Sequence, residues 1–322
     1  MGVVPLVLRV PGHSEVLSSD APGVPQSPES KSVLNGRSMS GAIMKERAMP
    51  EIFDFDAYSP KEIAARVETI GVTKARLPLL SMLMLSVLAG AFIGLGALYF
   101  VLVKSDASLS FAATQVLGGV AFSLGLILVV IAGAELFTGN NLLAMAWADG
   151  KISTRELLRN WAIVCAGNFV GAAGLALLVF LSSHPDMNNG AIAQTYIKVA
   201  AAKVTMPFWT AFFKGVLCNV LVCMAVWMAL AGRSVIDKVV AIVFPISAFV
   251  AAGFEHSVAN MYIIPLAMLL QAFGSGGETA NAITWVGFFH NMVPVILGNI
   301  AGGSVLVALV YYVIYLRAPN RK

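Results

Sequence analysis

Gly133-Ala134-Glu135-Leu136-Phe137-Thr138-Gly139-Asn140 and Gly253-Phe254-Glu255-His256-Ser257-Val258-Ala259-Asn260 share the pattern G-x-E-x(4)-N. Each copy lies in the middle of an apolar run of 35 residues, Ala113–Trp147 and Val239–Phe273. At about 1.5 Å per residue a continuous helix of that length reaches about 52 Å, against a hydrocarbon core of about 30 Å. Neither run has room for a hairpin of two full spans. Each is therefore expected to be one span, broken and re-entrant at its motif. A second echo follows in the next apolar run of each half, Gly167-Asn168-Phe169-Val170-Gly171 and Gly298-Asn299-Ile300-Ala301-Gly302. Two echoes in the same order indicate an internal duplication.

Working outward, Leu77–Val103, Trp161–Leu181, Pro207–Ala231 and Trp285–Leu316 are each apolar and long enough for one span. The expectation is an all-α membrane protein of six transmembrane segments, with segments two and five broken. Three segments per half is an odd number, so the halves point in opposite directions. That is an inverted repeat, with its site where the breaks meet near the bilayer midplane.

The composition agrees. Of 322 residues, 58% are hydrophobic and 12% charged, and the mean hydropathy is +0.82. Soluble domains carry about 25% charged residues. A soluble enzyme, a secreted disulfide scaffold and a nucleic-acid binder are excluded. The basic pI near 9.0 reflects placement, since 9 of the 21 Lys and Arg precede Leu77 and most others sit at span ends. Lys and Arg flank the start of the first span, the loops after spans two and four, and the C-terminus, which predicts that both termini are cytoplasmic. Cys165, Cys218 and Cys223 lie within apolar runs without metal or disulfide spacing and read as small core residues.

Residues 1–50 are rich in Ser, Pro and Gly and read as a disordered cytoplasmic tail. Within 51–76, Ser59-Pro60 starts a helix whose Ile63, Val67 and Ile70 form one apolar stripe, which predicts an amphipathic helix under the membrane entrance. Residues 77–317 form the six-span domain and 318–322 a short cytoplasmic tail.

Few polar residues lie deep in the spans. Glu135 and Glu255 are the acids well inside, and an isolated carboxylate there costs about 2.5 kcal/mol or more. Because the motif is duplicated, each is expected to accept hydrogen bonds from backbone N–H groups freed at its break. His256 has Leu136 as its counterpart, so structure alone does not require it. It reads as a titratable group in a dry part of a pathway, able to offer a proton to a passing anion. Lys203, in the expected loop before Pro207, can line a mouth and raise the local anion concentration in a salt-dependent way. Lys214 reads as snorkelling to the interface. Asn168, Asn219, Asn260 and Asn299 read as helix-to-helix hydrogen-bonding amides. Phe122, Leu126 and Phe249 read as lipid-facing or core residues on residue type alone. No metal-ligand spacing, phosphate loop or nucleophile–base set is present, so no enzyme and no cofactor are expected.

The two broken-helix motifs resemble those of the formate/nitrite transporter family. So do Ser123-Leu-Gly-Leu-Ile-Leu128, Asn219-Val-Leu-Val-Cys-Met-Ala-Val-Trp227, Gly232-Arg-Ser-Val-Ile-Asp-Lys238 and Gly298-Asn-Ile-Ala-Gly-Gly303. The likeness covers about residues 57 to 317 and is strongest to the formate-channel branch. It implies an aquaporin-like protomer, a homopentamer with one pore per protomer, and passage of small monovalent anions across the bacterial inner membrane. It also implies roles: a central histidine at His256 preceded by the acid Glu255, a partner asparagine at Asn260, a loop threonine at Thr138, a vestibule lysine and asparagine at Lys203 and Asn219, and a constriction at Phe122, Leu126 and Phe249. The long segment before Glu51 departs from the family pattern. Formate is the expected substrate, by a channel or proton-coupled route; nitrite, hydrosulfide, lactate and acetate are the alternatives. A neutral-solute pore fits less well, since there is neither paired Asn-Pro-Ala nor a facing pair of deep histidines.

Overall fold

Ser59 caps the first helix, α1 (Pro60–Ala75), through a capping box in which its hydroxyl accepts from the Glu62 N–H and the Glu62 carboxylate accepts from the Ser59 N–H. The computed structural model describes residues 58–273 and 283–317. The expected tails at 1–50 and 318–322, and the start of the 51–76 segment, lie outside the described residues. Ile63 and Val67 of α1 are buried, as the stripe predicts, against the chain between Gly139 and Ala148 and the end of the last helix.

Among the described residues, five helices are long and apolar enough to cross a membrane. They are α2 (Leu79–Lys104), α3 (Phe111–Ala132), α5 (Thr154–Leu181), α7 (Phe208–Ala231) and α10 (Trp285–Ile300), which continues in π-helical turns to Leu316. The two 35-residue runs are each divided. After α3 the chain resumes as a 3-10 turn, Gly139–Leu143, and the short α4 (Ala144–Ala148). After α8 (Val235–Ala251) it resumes as α9 (Ser257–Phe273). Both interruptions open on a glycine in the left-handed region, Gly133 at φ 81° and Gly253 at φ 69°. A side chain there clashes with the following carbonyl, so glycine is the cheapest residue at which to stop each helix.

The packing repeats. α2 lies against α3 and α5, and α7 lies against α8 and α10; α3 then meets α8, and α5 meets α9. The second echo is the close-approach surface. A Cβ on Gly171 would overlap the carbonyl oxygen of Val87, and one on Gly302 that of Val216. Apolar side chains gain little by leaving lipid, so helices in a bilayer associate through backbone proximity that small residues allow.

One helix lies where a loop was expected, α6 (Ala191–Val204). Ile192, Tyr196, Ala200 and Val204 recur at four-residue spacing and are buried. Tyr196 hydrogen-bonds its hydroxyl to that of Tyr262 on α9 at 2.8 Å. The helix is only 14 residues long, and its stripe is diluted by alanines, which gives little contrast along the sequence.

At the other end, Arg76 joins α1 to the start of α5. Its Nε donates to Glu156 Oε1 at 3.0 Å and an Nη to the Lys151 carbonyl. The Ser153 N–H, the Arg76 guanidinium and the Ser153 hydroxyl together hold the Glu156 carboxyl down at about 2. A folded-state value below the unfolded 4.5 means the contribution is present above about pH 4.5 and lost as pH falls toward 2. Melting temperatures of the parent and Glu156→Gln should differ at pH 6 and converge only at about pH 1. A constant gap across that range would remove the carboxylate from the account.

Candidate functional site

The two carboxylates sit in matching side-chain clusters. Glu135 pairs with Lys74 Nζ at 2.9 Å, and Asn140 Nδ2 donates to Glu135 at 2.7 Å and to Asn160 Oδ1 at 3.0 Å. Glu255 pairs with Lys203 Nζ at 2.8 Å, and Asn260 Nδ2 donates to Glu255 at 2.7 Å and to Asn291 Oδ1 at 2.7 Å. Asn160 and Asn291 each donate back to the carbonyl of the lysine in their own cluster. A carboxylate in a low-dielectric interior survives only with a counter-charge and hydrogen bonds on its remaining lone pairs, and both clusters supply these.

This differs from the expectation that the carboxylates accept from freed backbone N–H groups. Asn168 and Asn299 do that work. Asn168 Oδ1 accepts from the Phe137 N–H, while its Nδ2 donates to the Ser86 and Glu135 carbonyls. Asn299 Oδ1 accepts from the Ser257 N–H, and its Nδ2 donates to the Gly215 and Glu255 carbonyls. The remaining strut is backbone: Glu135 N–H to Leu85 and Glu255 N–H to Lys214.

Lys74, Asn160 and Asn291 were not picked out as site residues from the sequence. The signal was present in a wider repeat. Lys74-x(3)-Pro78 matches Lys203-x(3)-Pro207, and Asn160-x(6)-Gly167-Asn168 matches Asn291-x(6)-Gly298-Asn299. Lys203 itself lies in the last turn of α6, not in a loop. Its side chain is 14% exposed and its charge is taken up by Glu255, so it is not a free steering charge.

His256 breaks the symmetry. Its Nδ1 accepts from the Ala259 N–H at 3.1 Å, so the proton of the neutral ring is on Nε2. Nε2 then donates to Thr138 Oγ1 at 3.0 Å, which leaves the threonine hydroxyl proton free for another acceptor. The contact joins the first interruption to the second. Asn260 and Glu255, both expected near the ring, bond each other and make no hydrogen bond to the imidazole. Asn219 is fully buried. Its Nδ2 bonds the Thr138 carbonyl, Asn141 Oδ1 and the Asn299 carbonyl, which ties the two interruptions together from behind.

Phe122 and Phe249 meet edge to face with centroids 5.6 Å apart, and Phe249 stacks on the His256 ring at 5.9 Å. With Leu126 and Leu136 they enclose an apolar gap too narrow for a water molecule. These three residues are therefore not lipid-facing; all are at most 4% exposed. A cavity opens on each side of the gap. The one beside α1 is lined by Lys74, Glu135, Leu126 and Gly133. The one beside α6 is lined by Lys203, Glu255, Phe122, Phe249 and His256. The arrangement is two mainly apolar cavities, each with a lysine–carboxylate pair in its wall, separated by a dry constriction with a hydrogen-bond donor at its edge.

Residues 61–313 match the formate/nitrite transporter family. The formate channel FocA of Escherichia coli (strain K12) is 39% identical over 274 residues, which is 82% of this chain and 96% of that protein. The probable formate transporter of Methanothermobacter thermautotrophicus is 40% identical over 278 residues, 80% of this chain and 97% of that protein. Among solved structures, a pentameric formate channel with formate bound superposes with a TM-score of 0.70 at 38% identity, covering 74% of this chain and 98% of that one. An ion channel of the same family gives a TM-score of 0.70 at 33% identity, covering 79% and 98%.

Proposed function

This chain belongs to the formate/nitrite transporter family, and on that premise we propose that it is a membrane channel for small monovalent anions with formate as its first substrate. It is a multi-pass transport protein and not an enzyme. The observation that carries the reading is the pair of vestibules facing one dry constriction, with His256 and Thr138 at its edge. In the proposed topology six segments form an inverted repeat in the bacterial inner membrane, with α1 and both termini on the cytoplasmic side. Five such chains assemble, each with its own pore.

His256, Thr138, Lys203, Glu255, Asn260 and Asn219 are the proposed pathway residues, and Phe122, Leu126 and Phe249 the proposed gate. An anion entering the gate loses its hydration and faces a barrier of several kcal/mol. The His256 Nε2–H and the freed Thr138 hydroxyl offer replacement hydrogen bonds. A neutral imidazole that gave up Nε2–H would become an anion, so proton transfer to the substrate requires a second proton at Nδ1. That proton would face the Ala259 N–H and displace its hydrogen bond. Hydrogen bonding without transfer gives anion conduction; transfer gives proton-coupled movement of the neutral acid. Lys203, Glu255 and Asn260 position the second interruption, and Asn219 ties it to the first.

Labelled formate and nitrite uptake into vesicles containing the purified protein tests the reading, and protein-dependent formate flux is expected. Flux no greater than in empty vesicles, with the protein folded, would overturn it. Lys203→Ala should cut formate flux at least about tenfold and destabilise the protein by about 3–5 kcal/mol, the cost of leaving one partner of a buried pair unpaired. Lys203→Ala with Glu255→Gln should regain stability. A single variant that melts with the parent would show that the pair is not coupled.

A further inference from the structure

The two vestibules differ in charge. The one beside α1 is lined by one cation and one carboxylate, Lys74 and Glu135, which neutralise each other. The one beside α6 is lined by Lys104, Lys203 and Lys214, with Glu255 as its one carboxylate among the described residues. Glu255 is committed to Lys203. Two positive charges remain.

Neither is an ordinary snorkelling lysine. Lys104, at the end of α2, is half-buried and held in place. Its Nζ donates to Gln115 Oε1 at 3.0 Å, and the Gln115 amide is fixed by donating to the Ala251 carbonyl at 2.8 Å, at the end of α8. The ammonium also lies 5.5 Å from the centre of the Phe100 ring. Lys214, one turn before the buried Cys218 on α7, is half-buried, and its Nζ has no hydrogen bond or ion pair among the described residues. Its backbone carbonyl is already used by the Glu255 N–H, so the residue is anchored at the wall of the cavity while its side chain stays uncommitted.

We propose that Lys104 and Lys214 form an anion-binding site in the vestibule beside α6, ahead of the Lys203–Glu255 pair, which takes a small carboxylate or another monovalent anion before it reaches the gate. The inference rests on the channel reading for its role in flux, not for the binding itself. It assigns to these two lysines the salt-sensitive attraction that Lys203 cannot supply, because Lys203 is neutralised and sheltered. It also makes the protein sided, since the vestibule beside α1 carries no surplus charge.

The test uses the full-length protein and the variant Lys104→Gln/Lys214→Gln, with Lys104→Arg/Lys214→Arg as the charge-retaining control. Neither lysine is in an ion pair, so both variants should keep the parent's oligomer and melting temperature. In vesicles at about 10 mM salt, where screening acts only beyond about 30 Å, the Gln variant should need about tenfold more formate for half-maximal flux from the α6 side. Flux from the α1 side should be unchanged, and at about 1 M salt, where charges are screened beyond about 3 Å, the difference should vanish. An unchanged half-saturation at low salt from the α6 side, or an equal rise from both sides, would overturn the site. Chloride binding by the detergent-solubilised protein, followed by 35Cl line broadening and competed by formate, separates the two claims. Broadening in the parent and the Arg control but not the Gln variant supports the site even if no formate crosses, and equal broadening in parent and Gln variant refutes it.

Discussion

In vesicles, His256→Ala is expected to remove the pH dependence of formate uptake while leaving the fold and assembly intact. Uptake by the parent should rise as the pH falls from about 8 to 5. The geometry explains why the ring matters. His256 sits against Phe122 and Phe249, where an anion can keep no water, and its Nε2–H is the nearest side-chain donor held in place, by Thr138 on one side and the Ala259 N–H on the other. Losing a donor worth about 1.4 kcal/mol to a charged substrate slows passage about tenfold, and losing the proton route removes the acid-side rise altogether. His256→Ala uptake at pH 5 should therefore fall at least about tenfold and stay flat to pH 8. His256→Asn and His256→Gln keep a donor without a titratable proton and should retain a slower, pH-independent flux. An alanine variant with the parent's pH profile would reduce His256 to a packed residue.

The second large effect is on stability. Asn299→Ala leaves the Ser257 N–H without its acceptor and the Glu255 carbonyl without its donor at a helix interruption away from water, and removes a second donor from the Gly215 carbonyl inside α7. An unsatisfied buried group costs about 1–3 kcal/mol, so two cost on the order of 4 kcal/mol. At about 2–4 °C per kcal/mol the melting temperature should drop by about 8–16 °C. Asn168→Ala should behave alike, since it leaves the Phe137 N–H and the Ser86 and Glu135 carbonyls in the same condition. Leu297→Ala, on the same helix as Asn299 and 48% exposed, is the control and should move the transition little. Scanning fluorimetry of the detergent-solubilised protein reads all three. If Asn299→Ala melts within about 3 °C of the control, the interruptions are held by something other than these amides.

The breaks themselves were visible in the chain. A bilayer imposes one length on every span, so a run too long for one helix and too short for two has to be interrupted, and Gly133 and Gly253 mark where. The α1 cap and stripe were visible for the same local reason, as Ser59, Glu62 and the apolar period lie within a few turns of each other. α6 was not visible, because a 14-residue, alanine-rich helix differs too little from a loop in composition.

Sequence by itself determined the solvent, the long apolar helices, the duplicated motif and the singular place of His256, because hydropathy and helix-stopping act along the chain over a few residues. The tertiary structure alone decided who pairs with whom. Lys74 reaches Glu135 across about sixty residues, Lys203 reaches Glu255 across about fifty, and Thr138 meets His256 across 118. A buried polar group takes whichever complementary atom the packing brings within about 3 Å, and that atom is set by helix approach at glycines such as Gly171 and Gly302, not by its own neighbours in sequence. The carboxylates therefore went to lysines and asparagines, the freed backbone to Asn168 and Asn299, and Lys104 and Lys214 were left as the surplus charge of one vestibule.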